Sequence, residues 1–414
     1  MGKHSGSEAP EELLAIHTIL DLIRVEGPIT RSFICERSGY SRSTVSLNCD
    51  KLLASGLVVE EGIIYRNEKG KRTKLKINGN AGLIIGIELG ATSCEIGLCD
   101  LSAKILDFNS SPVDLSQGPD PILAQIYHRI DKMISLPSIS KMKLLGICMG
   151  LPSSVDYQRG TAIYPAFMPG WHQYPVREIL QARYGCPVFI DNEVNTMALG
   201  EYSLGTERKY KNLLFVKAGT GIGAGIIVNG EIYRGQTGFA GNIGHIQMEG
   251  HNEICQCGKK GCLEAIASGS AIARRAKQFI SNGGSQLLRE VYEKTGEITA
   301  REVKYAADHG DTACSQIIRE AGTILGELIG RIVIFFDPSI VIIGGGLTGF
   351  GPSYLSFIRD GVLSQSKPWI NPDFEVKEST FGNKSGVIGS VMLCIKELVS
   401  SGAILRVFMS QIQK

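Results

Sequence analysis

Residues 244–264 read GHIQMEGHNEICQCGKKGCLE, which places His245, Cys255, Cys257 and Cys262 within 18 residues. Three thiolates and one imidazole complete a tetrahedral zinc site. With four protein ligands no position stays open, so such a site is structural and not catalytic. Gly258 and Gly261 allow the tight turn that returns Cys262 to the other two thiols. His251 is an alternative nitrogen ligand, and a disulfide or unrelated free thiols are the rival readings. The other eight cysteines argue against a disulfide. With Cys255, Cys257 and Cys262 they make an odd total of eleven, and they stand singly at 35, 49, 94, 99, 148, 186, 314 and 394. Lone cysteines in apolar stretches behave as small buried hydrophobes, and the pattern is that of a reduced, cytoplasmic protein.

Upstream and downstream of this segment, apolar runs end in glycine or polar residues. LIIGIELGATSCEIGLCD is two strand-like stretches joined through Gly90-Ala91-Thr92, and KLLGICMGLP, CPVFID, NLLFVKAG and IVIIGGGL are further strands. Most are separated by segments long enough for helices, which predicts an α/β architecture. No fixed-period repeat is evident. The loop Gly219-Thr220-Gly221-Ile222-Gly223-Ala224 fits G-x-G-x-x-A formally, but a dinucleotide site needs a helix next. The next residues, IIVNGEIYRG, read as strand, turn and strand, so the Rossmann reading fails. The loop is a phosphate-binding hairpin or a close backbone crossing. Gly90 to Thr92 and Gly344 to Gly346 are two more turns of that kind.

The first 78 residues have a different texture. Apolar residues recur with helical period from Glu11 to about Arg24, a short helix is expected over Arg31 to Arg37, and Ser38-Gly39-Tyr40 is a turn. Ser41 is an N-cap for a third helix that Gly56 ends. Leu57 to Val59 and Ile63 to Tyr65 read as a hairpin around Glu60-Glu61-Gly62. The order is that of a winged helix-turn-helix. Residues 31–80 carry ten Lys and Arg against five acids, a local +5, which leaves −3 for the rest of a chain of net charge +2. That asymmetry predicts phosphate contact. Val45, Cys49 and Leu52 would pack inward, leaving Ser43, Ser46 and Leu47 toward base edges with Thr44 beside them and Arg42 toward phosphate. Lys71 and Arg72, with Lys69, Lys74 and Lys76, would follow the DNA backbone.

Composition is globular: 43% hydrophobic and 20% charged residues, ample for a core. Fifty glycines in 414 residues, about 12%, exceed the usual ~7% and need a reason. No apolar run is long enough to span a membrane, since Leu328 to Gly346 is broken by Arg331 and Asp337. The opening MGKHSGSEAPEE lacks the apolar core of a secretory signal and is expected to be a short disordered tail.

Together these motifs resemble the ROK family (repressor, open reading frame, kinase) of the actin-like sugar-kinase fold, over nearly the whole chain. The segment G-H-x9-C-x-C-G-x-x-G-C-L-E is the family's most specific signature. The resemblance implies a winged helix-turn-helix over 1–78, an actin-like N-terminal lobe over 79–200 and a C-terminal lobe with the zinc motif over 201–385. Residues 386–414 would form a C-terminal helix packing back on the first lobe. In the family's kinases a D-x-G-x-T loop, a GTGIG loop and a GGG turn hold ATP. The matching positions are Glu88, Gly90 and Thr92; Gly219, Thr220 and Gly221; and Gly344 and Gly345. Sugar hydroxyls would meet Asn192, Glu193, Asn242, His245 and Glu264, with Glu193 at the position of the kinase general base.

Three departures decide the reading. Glu88 and Glu193 each stand where the kinases have aspartate, and Asn242 stands where a sugar-binding glutamate is expected. A general base must reach its hydroxyl at about 2.6–3.2 Å, and one added methylene moves a carboxylate by more than that tolerance. The resemblance therefore implies a DNA-binding repressor of carbohydrate metabolism with a sugar effector in a retired kinase site. Structural zinc is its expected cofactor and ATP is not expected. Its expected partners are operator DNA and a second copy of the chain, as a homodimer or higher oligomer, with no membrane partner. A hexose kinase, or a repressor governed by a protein partner, are the alternatives.

Overall fold

In the computed structural model, residues 10–409 are described except 66–70, 138, 140, 206–208, 368, 370 and 372–373. The expected N-terminal tail lies outside them. The chain opens with α1 (Pro10–Glu26), β1 (Ile29–Thr30), α2 (Arg31–Ser38), α3 (Arg42–Ala54), β2 (Val58–Tyr65) and β3 (Lys71–Ile77). Ser41 caps α3 by accepting from the Thr44 amide at 3.1 Å, and Gly39 ends α2 in the left-handed conformation. The wing departs from the sequence reading. Val58–Tyr65 is one strand, and its partner is Lys71–Ile77 in antiparallel register from Val58↔Ile77 to Tyr65↔Lys71. Gly62, at φ +64°, absorbs a bulge between Glu61 and Ile63, so the strand passes through a glycine that looked like its turn.

The body is two five-stranded sheets. The first uses β4 (Leu83–Leu89), β5 (Ser93–Asp100), β6 (Ile105–Pro112), β7 (Leu144–Leu151) and β10 (Val188–Asn192), with α4 (Pro119–Ile134), a β8 (Ser154–Asp156)–β9 (Thr161–Ile163) hairpin and α5 (Val176–Tyr184) between. After α6 (Glu193–Leu204) the second uses β11 (Leu213–Ala218), β12 (Ile222–Val228) and β13 (Glu231–Ile232). Then come α7 (Leu263–Ala267), α8 (Gly269–Ser281), α9 (Gln286–Thr295), α10 (Ala300–Asp308) and α11 (Thr312–Phe336). The chain ends with β14 (Ile340–Gly344), α12 (Pro352–Ser366), β15 (Glu375–Glu378), α13 (Ser385–Ser400) and α14 (Ala403–Met409). The orders β6-β5-β4-β7-β10 and β13-β12-β11-β14-β15 are the same, an antiparallel meander followed by two parallel strands. The body thus repeats one topology that left no repeat in the sequence.

Two helices lie between the sheets. α13 packs on β4 and β7, α6 packs on β11 and β12, and the two helices pack on each other. Glycine makes this close stacking possible. Gly86 and Gly97 face each other across β4 and β5, and Val387 of α13 occupies the slot they leave. Where α6 crosses α13, a Cβ on Gly389 would overlap the Thr196 carbonyl oxygen, and one on Gly200 would overlap that of Ser385. The fully buried Glu201 ties α6 to the segment ahead of α13, accepting from the Ser385 hydroxyl at 2.7 Å and from the Thr380 and Phe381 amides at 3.0 and 3.1 Å. One apolar cluster runs from the N-terminal module (Ile19, Leu52, Leu75) through Val391 and Leu398 of α13 to Leu405 of α14.

Candidate functional site

Between the sheets opens a cleft of about 800 Å³. Asn192 and Glu193 enter it at the junction of β10 and α6. Asn192 is largely spent on structure: its Oδ1 caps α6 by accepting from Val194 and Asn195 at 2.8 and 3.2 Å, and its Nδ2 donates to the Ser153 carbonyl at 2.9 Å. Glu193, 6% exposed, sends Oε1 into a 2.6 Å ion pair with Lys217, while its buried Oε2 has no hydrogen-bond partner. Asn242 donates from Nδ2 to the Ser154 hydroxyl at 3.0 Å, closing the rim between the two lobes. Glu264, at the start of α7, braces the second glycine loop: its Oε2 accepts from the Ile222 amide at 3.0 Å. His245 completes the predicted sugar-binding set, and all five residues line the cleft.

The predicted nucleotide positions divide. Thr220 and Gly221 line the cleft, whereas Glu88, Gly90, Thr92, Gly219, Gly344 and Gly345 are not among its lining residues. Glu88 is buried and turned against the first turn of α13 at Gly386. Burial pushes its carboxyl up to about 8, with Glu193 and Glu95 adding to the rise and Lys217 and the Gly386 amide opposing it. Gly345 is packed against Ala218, next to the Gly219 loop.

His245, Cys255, Cys257 and Cys262 present ligand atoms all within 4.8 Å of one another, the geometry of a shell that can hold a metal ion. His245 Nδ1 lies 3.6 Å from Cys255 Sγ, and Cys257 Sγ 3.7 Å from Cys262 Sγ. His251 stands outside the cluster, 3.5 Å from the Glu253 carboxylate. All eleven cysteines are free. For Cys257, desolvation works upward but is outweighed by the Lys259 amide and the neighbouring thiols, so its net shift is downward, toward thiolate.

On the N-terminal module, Val45, Cys49 and Leu52 are buried, while Arg42, Ser43 and Leu47 of α3 are exposed. Thr44 and Ser46 are half-buried and engaged. The Thr44 hydroxyl lies 2.8 Å from that of Ser41, and Ser46 accepts from Arg31, which also pairs with Asp50 at 2.7 Å. Lys69 lies outside the described residues, and of Lys71 and Arg72 only the backbone, in β3, is described. Lys76 of the same basic run is paired with Glu61.

Sequence reasoning missed two buried ion pairs. Lys217 stands in the apolar run NLLFVKAG, and a lysine that is buried needs a partner, so the signal was present. Asp191, 1% exposed, pairs at 2.6 Å with Arg234, whose guanidinium lies over the Tyr157 ring. Neither partner is local in sequence.

The ROK family pattern matches residues 84–397. The chain belongs to the ROK family. It is 30% identical over 402 residues to the xylose repressor of Caldicellulosiruptor bescii, covering 97% of this chain and 99% of that one. It is 34% identical over 307 residues to the glucokinase of Halalkalibacterium halodurans, covering 74% of this chain and 92% of that one. The crystal structure of a ROK family transcriptional regulator, a homolog of the E. coli MLC protein, superposes with a TM-score of 0.80 at 24% identity. That match covers 97% of this chain and 99% of the other, and it establishes the fold. This ROK chain therefore has the two-lobed α/β body of the family's kinases behind a helical and winged module. No described helix is long and apolar enough to cross a membrane.

Proposed function

We propose that this protein is a sugar-responsive transcriptional repressor of carbohydrate metabolism. The observation that carries the reading is the module ahead of the ROK body. The family pattern begins at residue 84, and the xylose repressor match extends over 97% of the chain where the glucokinase match extends over 74%. Arg42, Ser43 and Leu47 stand exposed on α3, where a recognition helix meets the major groove, and Lys71 and Arg72 lie on the wing beside it. A homodimer would set two such helices about one DNA turn apart. Asn192, Glu193, Asn242, His245 and Glu264 converge on the cleft with acceptors and donors suited to sugar hydroxyls.

The Cys3His shell fits zinc, whose chemistry here is structural: it would fix the loop that carries His245 at one end and Glu264 just past the other. The lengthened carboxylates at 88 and 193 support a body that senses and does not transfer phosphate. Location in the cytoplasm follows from that role.

A DNA shift assay on the upstream intergenic region tests the reading. Specific retardation that weakens with rising salt and is relieved by D-xylose or another sugar of a panel is the expected result. Absence of specific retardation with zinc bound would overturn it, and sugar-phosphate formation in a coupled assay would favour the kinase alternative. Retardation relieved by no sugar but by a transport protein would favour the partner-governed repressor.

A further inference from the structure

Lys217 is the one charged residue of β11, in a strand whose other members are all buried. Its side chain is 16% exposed, and its ammonium closes the 2.6 Å bond to Glu193 from the opposite lobe. Glu88 and Glu95 are directly opposed on β4 and β5, both buried, and both act on the Lys217 charge. One carboxylate therefore pairs directly with the ammonium, and two more buried carboxyl groups act on it through space. The unpartnered Oε2 of Glu193 lies 3.8 Å from the place a Cβ on Gly90 would occupy, so it is aimed at the Gly90 turn.

Carboxylates converging beside a glycine turn are the donor set a divalent cation takes together with a nucleotide's phosphates. Here that place is filled from within. A magnesium ion brought to Glu193 would sit against the Lys217 ammonium. Driving the lysine off would instead break a buried ion pair, which is strongly unfavourable. The residues present do not fit a metal-bound nucleotide.

We infer that Lys217 is a tethered cation that replaces a metal ion at Glu193, bars a metal-bound nucleotide from the cleft, and fixes Glu193 in the cleft wall in the position from which it meets a sugar hydroxyl. Lys217 is thus a positioning residue, and it selects the ligand class. The inference rests on the sugar-sensing reading, and its test reads metal binding and not DNA.

Manganese(II) binding to the zinc-loaded, full-length protein, followed by electron paramagnetic resonance with and without a non-hydrolysable ATP analogue, decides it. Wild type and Lys217→Arg should take up no manganese that depends on Glu193. Lys217→Met should gain a manganese site about tenfold or more tighter than any in wild type, and Lys217→Met/Glu193→Gln should lose that gain. Lys217→Met, alone of these single variants, should also bind D-xylose, or whichever panel sugar relieves retardation, about tenfold more weakly by calorimetry. Manganese or its nucleotide complex binding wild type at a site removed by Glu193→Gln would overturn the inference. So would a folded Lys217→Met that gains no manganese. Should Lys217→Met fail to fold, the wild-type and Lys217→Arg titrations still either support the inference or overturn it. Failure of DNA retardation would count against the repressor reading without touching this result.

Discussion

The Glu88 carboxyl ends against the backbone of Gly386, and its position there makes a prediction in pH. Burial raises its pKa from an ordinary 4.5 to about 8, so the folded state holds the proton more tightly than the unfolded chain does. Stability from this group is therefore fully present below about 4.5 and is lost as pH rises through about 8. Glu88→Gln keeps the protonated shape without the titration. Its melting temperature should rise relative to wild type as pH goes from about 5 to about 8, with the two curves parallel outside that window. An offset independent of pH would show that Glu88 titrates as an ordinary carboxylate. Leu47, 54% exposed on α3, tests the other end of the molecule. Leu47→Ala should leave stability within about 0.5 kcal/mol and weaken specific DNA binding about tenfold, with the salt dependence unchanged, because a methyl contact carries no charge. Individual residues were legible where chemistry is local. Ser41 and the Cys3His cluster that can hold a metal ion could be placed from spacing. The Lys217–Glu193 pair could not, because 24 positions of chain and the stacking of α6 on β11 bring it together.

At the scale of elements, the loop from His245 to Cys262 is bound to the cleft at both ends. Gln247 and Cys262 form a β-bridge, the Met248 amide donates to Gly261 at 2.7 Å, and Leu263 donates to Ile246 at 2.9 Å. Within it the Cys255 amide donates to Lys259 at 2.8 Å and the Gly261 amide to Glu253 at 2.9 Å, so backbone bonds and the Cys3His cluster together define the loop's path. Cys262→Ser should lose bound zinc by elemental analysis and weaken sugar binding by about tenfold or more, since metal-shell losses displace the groups they orient. Retention of sugar affinity in the zinc-free protein would mean that the loop holds His245 unaided. The strands of this region were legible from their glycine-bounded apolar runs. The wing was misread because Gly62 carries both the signal of a turn and the geometry of a bulge, and strand pairing distinguishes them only once Lys71–Ile77 is seen beside Val58–Tyr65. The matched order of the two sheets was hidden for a related reason. Topology constrains which strands pair, while the two sheets' core residues need share only volume and polarity. The excess of glycine is accounted for at this scale, by helices stacked backbone to backbone as well as by loops.

Across the whole molecule, α13 is the element through which a signal from cleft to DNA would pass in a sugar-responsive repressor. Its first turn meets Glu88 and fills the Gly86–Gly97 slot, Gly389 lies against α6, and its last turns join the apolar cluster of the N-terminal module. The turn between α13 and α14 meets that module at Gly402, which, at φ +67°, leaves room for the His17 ring of α1, which a Cβ would approach to 2.8 Å. The covalent junction at Asn78–Ala81 is the competing route, since Asn78 donates to the Gly56 carbonyl at 2.7 Å while the Leu101 amide donates to Gly79 at 3.1 Å. Gly402→Val separates them. The β-branched side chain strains a left-handed backbone and pushes α1 away from the helix pair without touching the cleft or α3. If α13 carries the signal, sugar affinity in the absence of DNA should stay at the wild-type value, while the factor by which sugar weakens DNA binding should shrink from its wild-type value toward one. By reciprocity, DNA should then lose its effect on sugar affinity by the same factor, which calorimetry with and without operator measures independently. Two unchanged coupling factors would assign the signal to the Asn78–Ala81 junction, where substitution of Asn78 by alanine should abolish them instead.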